Sequence, residues 1–151
     1  LERLERYILD HRQAICQAVY DDFRKPSVEV ELTEIVAVKL EIRYAIRHLR
    51  SWMKPRRVAT PLTYLGTSSY VQAEPKGNVL IISPWNYPFS LLVLPLVSAI
   101  AAGNTVMAKP SEVSNHTSAF LKKMLSELFD EREVAVFEGD RSVSEALLEL
   151  P

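Results

Sequence analysis

The chain has 151 residues, 48% of them hydrophobic and 25% charged, with a formal net charge of -1 and one cysteine. That is enough chain for one domain with a real hydrophobic core, and the charge lies too near zero for a nucleic-acid surface. The lone Cys16 excludes an internal disulfide framework and a Cys-rich metal site.

Leu1, Leu4, Ile8, Ile15, Val19 and Phe23 recur at helical spacing, which predicts one amphipathic helix over residues 1–24, ended by Pro26. Leu1 already lies on the apolar stripe and no cap precedes it, so the chain is expected to begin inside a longer protein. A charged start from Glu2 onward is unlike a signal peptide, and the cytosol is the default location. A second helix carries Ile35, Val38, Ile42, Ala45, Leu49 and Trp52, takes Thr33 as its expected N-cap, and stops before Pro55. The two are expected to pair as an antiparallel hairpin. Lys54, Arg56 and Arg57 then read as a small basic cluster on a solvated loop.

Residues 62–73 lose helical periodicity; rich in Thr, Tyr and Val around Gly66, they predict a short β excursion. From Gly77 the pattern turns regular. Val79-Leu80-Ile81-Ile82 is a continuous apolar run, the mark of a strand buried on both faces. A helix follows from about Pro88 to Gly103; its apolar stretch, Phe89 to Ala102, is too short to span a bilayer and contains Pro95. Thr105-Val106-Met107-Ala108 predicts a second strand, 114–129 a helix, Val134-Ala135-Val136-Phe137 a third strand and 142–150 a last helix. This β-α-β-α-β-α order calls for a parallel sheet with right-handed crossovers. The expected fold class is therefore α/β. It comprises a helical hairpin (1–57), a β excursion (58–76) and half of a doubly wound, Rossmann-like parallel sheet (77–151), incomplete and open at its last strand.

Ligands of such sheets bind beyond the carboxyl ends of the strands. There the first strand runs into Ser83-Pro84-Trp85-Asn86-Tyr87-Pro88, with no G-x-G-x-x-G, and neither Gly77 nor Gly103 continues into a P-loop. Any nucleotide must be held by other means. On spacing alone Asn86 reads as a helix N-cap, Trp85 as packing, and Lys109-Pro110-Ser111-Glu112 as a solvated loop. The functional alternatives are an amide donor to a developing oxyanion and a Lys/Glu pair for ribose hydroxyls. Cys16 has no base or helix N-terminus beside it and reads as a half-buried structural thiol. His11, His48 and His116 have no ligand spacing, so no metal is expected.

Four segments in order carry a resemblance: Glu74-Pro75-Lys76-Gly77-Asn78-Val79, Pro84-Trp85-Asn86-Tyr87-Pro88, Ala102-Gly103-Asn104-Thr105-Val106 and Lys109-Pro110-Ser111-Glu112. Together with Glu34-Ile35 and Glu41-Ile42-Arg43-Tyr44-Ala45, they make the chain similar to the aldehyde dehydrogenase superfamily, and within it to the class 3 and fatty-aldehyde enzymes. The resemblance implies an NAD-dependent oxidation of aldehydes to carboxylic acids, with NADP use left open. It assigns Asn86 to the oxyanion, Ile82, Ser83 and Trp85 to the cofactor cleft, and Lys109 and Glu112 to the adenosine ribose. It implies an aldehyde substrate and a homodimer built partly through the β excursion, with no nucleic-acid partner; any membrane anchor would be C-terminal and so not visible in this segment. The family's nucleophilic Cys, general-base Glu and Gly-Ser segment lie downstream of this stretch. The chain thus resembles an N-terminal fragment, expected to be inactive alone. A non-catalytic remnant serving as an interaction module is the alternative. A short-chain Rossmann dehydrogenase is disfavoured, because no glycine fingerprint follows the first strand and no Tyr has Lys four residues on.

Overall fold

The computed structural model describes residues 1–150. Its N-terminal region is helical: α1 (Glu2–Asp10), α2 (Arg12–Phe23), α3 (Ser27–Val30) and α4 (Val36–Trp52), with the π turn Glu31–Ile35 joining the last two. The expected single helix over 1–24 is broken at His11, whose backbone (φ -111, ψ 19) leaves helical geometry. Its ring stacks on Tyr7 at 3.9 Å and Nδ1 meets the Tyr7 carbonyl at 2.8 Å, the same carbonyl that accepts the His11 amide at 3.0 Å. The stripe nevertheless holds: Leu4, Ile8, Ile15 and Val19 are buried. Arg24 ends α2 in left-handed geometry, its N–H bonded to the Tyr20 carbonyl.

Thr33 is not the cap of the second helix. Helical structure begins at Ser27, right after Pro26, whose carbonyl accepts from the Glu29 and Val30 amides, and the Thr33 hydroxyl donates back to the Glu29 carbonyl. Proline set the start, because its own missing N–H costs nothing there. Ion pairs Arg12–Glu31 near the connection and Arg43–Glu5 farther out align the hairpin antiparallel, as expected. Trp52 departs from the stripe and lies exposed, in an aromatic ladder with Tyr44 and His48.

A small ribbon follows. β1 (Arg56–Val58) pairs antiparallel with β2 (Ser69–Val71), and a 3-10 turn, Leu62–Tyr64, lies between them. Arg56 and Arg57 are therefore strand residues, opposite Val71 and Tyr70, and not a loop cluster. The backbone is tied while both side chains stay in water, and this is how a basic pair can sit on a strand.

Three parallel strands form the main sheet in the order β3 (Asn78–Ile82), β4 (Thr105–Lys109), β5 (Val134–Val136). They alternate with α5 (Ser90–Ala101), α6 (Asn115–Leu128) and α7 (Arg141–Leu148). β3 is not buried on both faces. Val79, Ile81, Val106, Ala108, Val134 and Val136 share the face beneath α5 and α6, whereas Leu80 and Met107 are half-buried and Ile82 exposed on the other. α5 is apolar all round because it lies between α4 and the sheet, with Phe89, Leu92, Val93, Leu96 and Val97 buried. No helix is long and apolar enough to cross a membrane among the described residues.

Candidate active site

Two carboxylates of the hairpin fasten it to the sheet unit at matching points. In α5 the first ladder bond runs from Leu91 N–H to the Tyr87 carbonyl, leaving the amides of Phe89 and Ser90 without helical partners. Glu34 Oε2 accepts both, at 2.9 and 3.2 Å. In α6 the first bond runs from Ser118 to Ser114, leaving the amides of His116 and Thr117. Asp22 takes these, Oδ1 from His116 at 2.9 Å and Oδ2 from Thr117 at 2.8 Å, and also accepts the Thr117 hydroxyl at 2.7 Å. Negative charge suits a helix N-terminus. Burial works to raise the Asp22 carboxyl, but the donors of Thr117 and His116 outweigh it and hold it below the usual range.

The N-termini of α5 and α6, which follow β3 and β4, are thus already filled by carboxylates. A pyrophosphate held in the usual Rossmann manner needs such an N-terminus free, so the missing glycine fingerprint and the occupied helix ends agree.

At the carboxyl end of β3, the Ser83 amide bonds to the Lys109 carbonyl at 3.1 Å, carrying the ladder one residue past the strand. Ser83 is buried, and its hydroxyl has no hydrogen-bond partner among the described residues. Ile82 and Trp85 beside it are exposed apolar surface, at 44% and 54%. Trp85 leans on Phe23 of α2, ring centroids 6.1 Å apart. Asn86 is exposed and is not a helix cap, since Glu34 performs that task; its backbone carbonyl accepts from Lys25 Nζ at 3.1 Å. No group among the described residues hydrogen-bonds the Asn86 carboxamide, which leaves its N–H donors available.

Lys109, in register with Ile82, is not solvated: it is 2% exposed. Its ammonium pairs with Glu112, which remains open to solvent. The hydrogen bond from Lys109 is the main cause that lowers the Glu112 carboxyl and keeps it an ionised acceptor. Ile82, Ser83, Trp85, Asn86, Lys109 and Glu112 therefore gather at the carboxyl ends of β3 and β4. Cys16 lies elsewhere, buried in α2 with its Sγ 3.8 Å from the Ser27 carbonyl. Burial and then the neighbouring Glu31 push its thiol up, away from nucleophilic thiolate. Among the described residues no group of three or more His, Cys, Asp or Glu could hold a metal ion.

Lys25, Glu34 and Asp22 are the residues that spacing alone does not single out. One signal existed: Glu34 is four residues from both Val30 and Val38, and Asp22 three from Val19, so each carboxylate falls on an apolar stripe.

Residues 1–151 match the family model for the aldehyde dehydrogenase family. The chain is 40% identical over its full length to 4,4'-diaponeurosporen-aldehyde dehydrogenase of Staphylococcus aureus, covering 33% of that protein. It is 41% identical over 99% of its length to aldehyde dehydrogenase family 3 member B1 of Mus musculus, covering 32% of it. Among solved structures, the substrate-bound state of Staphylococcus aureus AldH superposes with a TM-score of 0.96 at 40% identity, over 99% of this chain and 33% of that one. The chain spans about a third of the length of these relatives.

Proposed function

This chain belongs to the aldehyde dehydrogenase family, and on that premise we propose that the protein containing it oxidises an aldehyde to a carboxylic acid with NAD, NADP serving as an alternate acceptor. The observation that carries the proposal is the state of Asn86, an exposed carboxamide with free donors on a tightly held turn at the carboxyl edge of a parallel sheet. Asn86 donates to the aldehyde oxygen as it gains charge under nucleophilic attack. Losing such a donor costs on the order of 3–4 kcal/mol in the transition state.

The cofactor fits the residues present. Ser83 offers a buried hydroxyl in need of a partner. Ile82 and Trp85 offer exposed apolar surface, and Glu112 an ionised acceptor whose geometry Lys109 fixes. In this reading Lys109 and Glu112 hold the adenosine ribose, and Ile82, Ser83 and Trp85 line the cleft. Bound there, the dinucleotide supplies the hydride acceptor. Glu112 disfavours a 2′-phosphate through like charge. In this reading the nucleophilic thiolate and the water-activating carboxylate come from outside these residues; Cys16 is buried in α2 with its thiol pushed up.

The hairpin, the β1–β2 ribbon and the parallel sheet with its helices act in this proposal as clamp, subunit-pairing element and partial cofactor unit. Exposed Val58, Tyr64, Leu65, Tyr70 and Val71 support the ribbon's pairing role in a homodimer. The test is NADH or NADPH formation from a long-chain aldehyde by the whole protein, beside the 151-residue chain alone. The whole protein turns over and the chain alone does not exceed a Cys16→Ala control. Turnover by the chain above that control contradicts the assignment of the nucleophile elsewhere.

A further inference from the structure

We infer that Lys25 and Glu34 are positioning residues that fix the Asn86 turn for the oxidation proposed above, on which this inference rests. Glu34 lies in the π turn of the hairpin and is fully buried. Its Oε1 accepts from Lys25 Nζ at 2.9 Å and its Oε2 from the amides of Phe89 and Ser90. Lys25, in the connection between α2 and α3, donates in addition to the Asn86 carbonyl at 3.1 Å. The same ammonium stands 4.3 Å from the centroid of the Tyr87 ring. One largely buried ion pair thereby holds Asn86, Tyr87, Phe89 and Ser90, and its hydrogen bond to Asn86 is to the backbone.

That division is what an oxyanion donor requires. The carbonyl is anchored and the carboxamide is left free, so the donor is aimed before charge develops. Both oxygens of Glu34 are satisfied, and the pair can persist in the interior without an orphaned charge. A compact ammonium also suits its three partners, a carboxylate, a carbonyl and a ring face, better than a planar fork would.

The experiment uses the whole enzyme and compares Lys25→Met with the unmutated protein, each also in an Asn86→Ala background. Misplacing a reacting group by an ångström lowers rate on the order of 10²-fold, so Lys25→Met is expected to lower kcat by about 10- to 100-fold. The KM for NAD stays within about threefold, and Lys25→Arg, which keeps the charge but not the compact ammonium, recovers only part of kcat. In the Asn86→Ala background Lys25→Met changes kcat little, because no carboxamide remains to be misplaced. A Lys25→Met protein that does not fold is replaced by Lys25→Gln, read in the same way. The inference is overturned if kcat is unchanged, or if the loss is equally large in both backgrounds, as a purely structural role would give. An unmutated enzyme with no aldehyde-dependent NAD or NADP reduction overturns the proposed function with it; an active enzyme indifferent to Lys25→Met overturns the inference alone.

Discussion

Replacing Asp22 by alanine tests how the hairpin is joined to the sheet unit. The carboxylate is 3% exposed and receives the His116 amide and ring, the Thr117 amide and the Thr117 hydroxyl, at 2.7 to 2.9 Å. Ser114, the residue at the helix's own N-cap position, makes no side-chain cap; its hydroxyl bonds to the Ser111 carbonyl instead. Asp22→Ala therefore leaves α6 uncapped, a loss of about 1–2 kcal/mol. Thr117 is 1% exposed, so its stranded hydroxyl adds about 1–3 kcal/mol. Relief of the carboxylate's desolvation offsets part of this, for a net loss of about 3 kcal/mol. With a urea slope of about 2 kcal/mol per molar, the unfolding midpoint drops by about 1.5 M. Asp22→Asn keeps one acceptor and loses about half as much. Asp21→Ala, next door, where the carboxylate takes a surface bond from Gln17 and a long 3.9 Å ion pair with exposed Arg24, stays within about 0.5 kcal/mol. A midpoint shift for Asp22→Ala no larger than that of Asp21→Ala refutes the capping argument.

Two further outcomes follow from individual groups. Asp22 and Asp140 are both held below the ordinary aspartate range. Stability from a depressed carboxyl is complete above the unfolded value of about 3.9 and is lost as pH falls through the folded one. The melting temperature should therefore be flat from pH 7 to about 5 and fall below about 4, less steeply in Asp22→Asn, as a pH series by circular dichroism reads. Glu112→Gln removes the charge that meets a 2′-phosphate, and should raise the NADP-to-NAD ratio of kcat/KM about tenfold, the equivalent of about 1.4 kcal/mol; an unchanged ratio argues against Glu112 at the ribose.

The strand–helix alternation is legible because short apolar runs and glycine breaks report local geometry. Gly103, at φ +83 just past α5, is the clearest of these. Motif order also reads well, though the structure divides the motifs by role. The Asn104 side chain accepts from the Gly77 amide and the Thr105 hydroxyl meets Asn78, so two segments that carry the resemblance tie the amino ends of β3 and β4. The other two line the carboxyl ends. What spacing does not reveal is long-range. Which carboxylate caps α5 or α6 depends on partners some 55 and 95 residues away in sequence, and local rules offered Asn86 for the first of those roles. The early start at Ser27 is missed for the opposite reason, since it turns on one proline effect too local for an apolar stripe to register.

Asn86 carries the chemistry proposed for this protein. Steady-state oxidation of an aldehyde by the whole enzyme, with NAD affinity measured alongside by titration, compares Asn86→Ala with the unmutated protein. The expected result is a kcat lower by on the order of 10²–10³ with NAD affinity essentially unchanged. An Asn86→Ala enzyme that keeps its kcat contradicts the assignment of this carboxamide to the oxyanion.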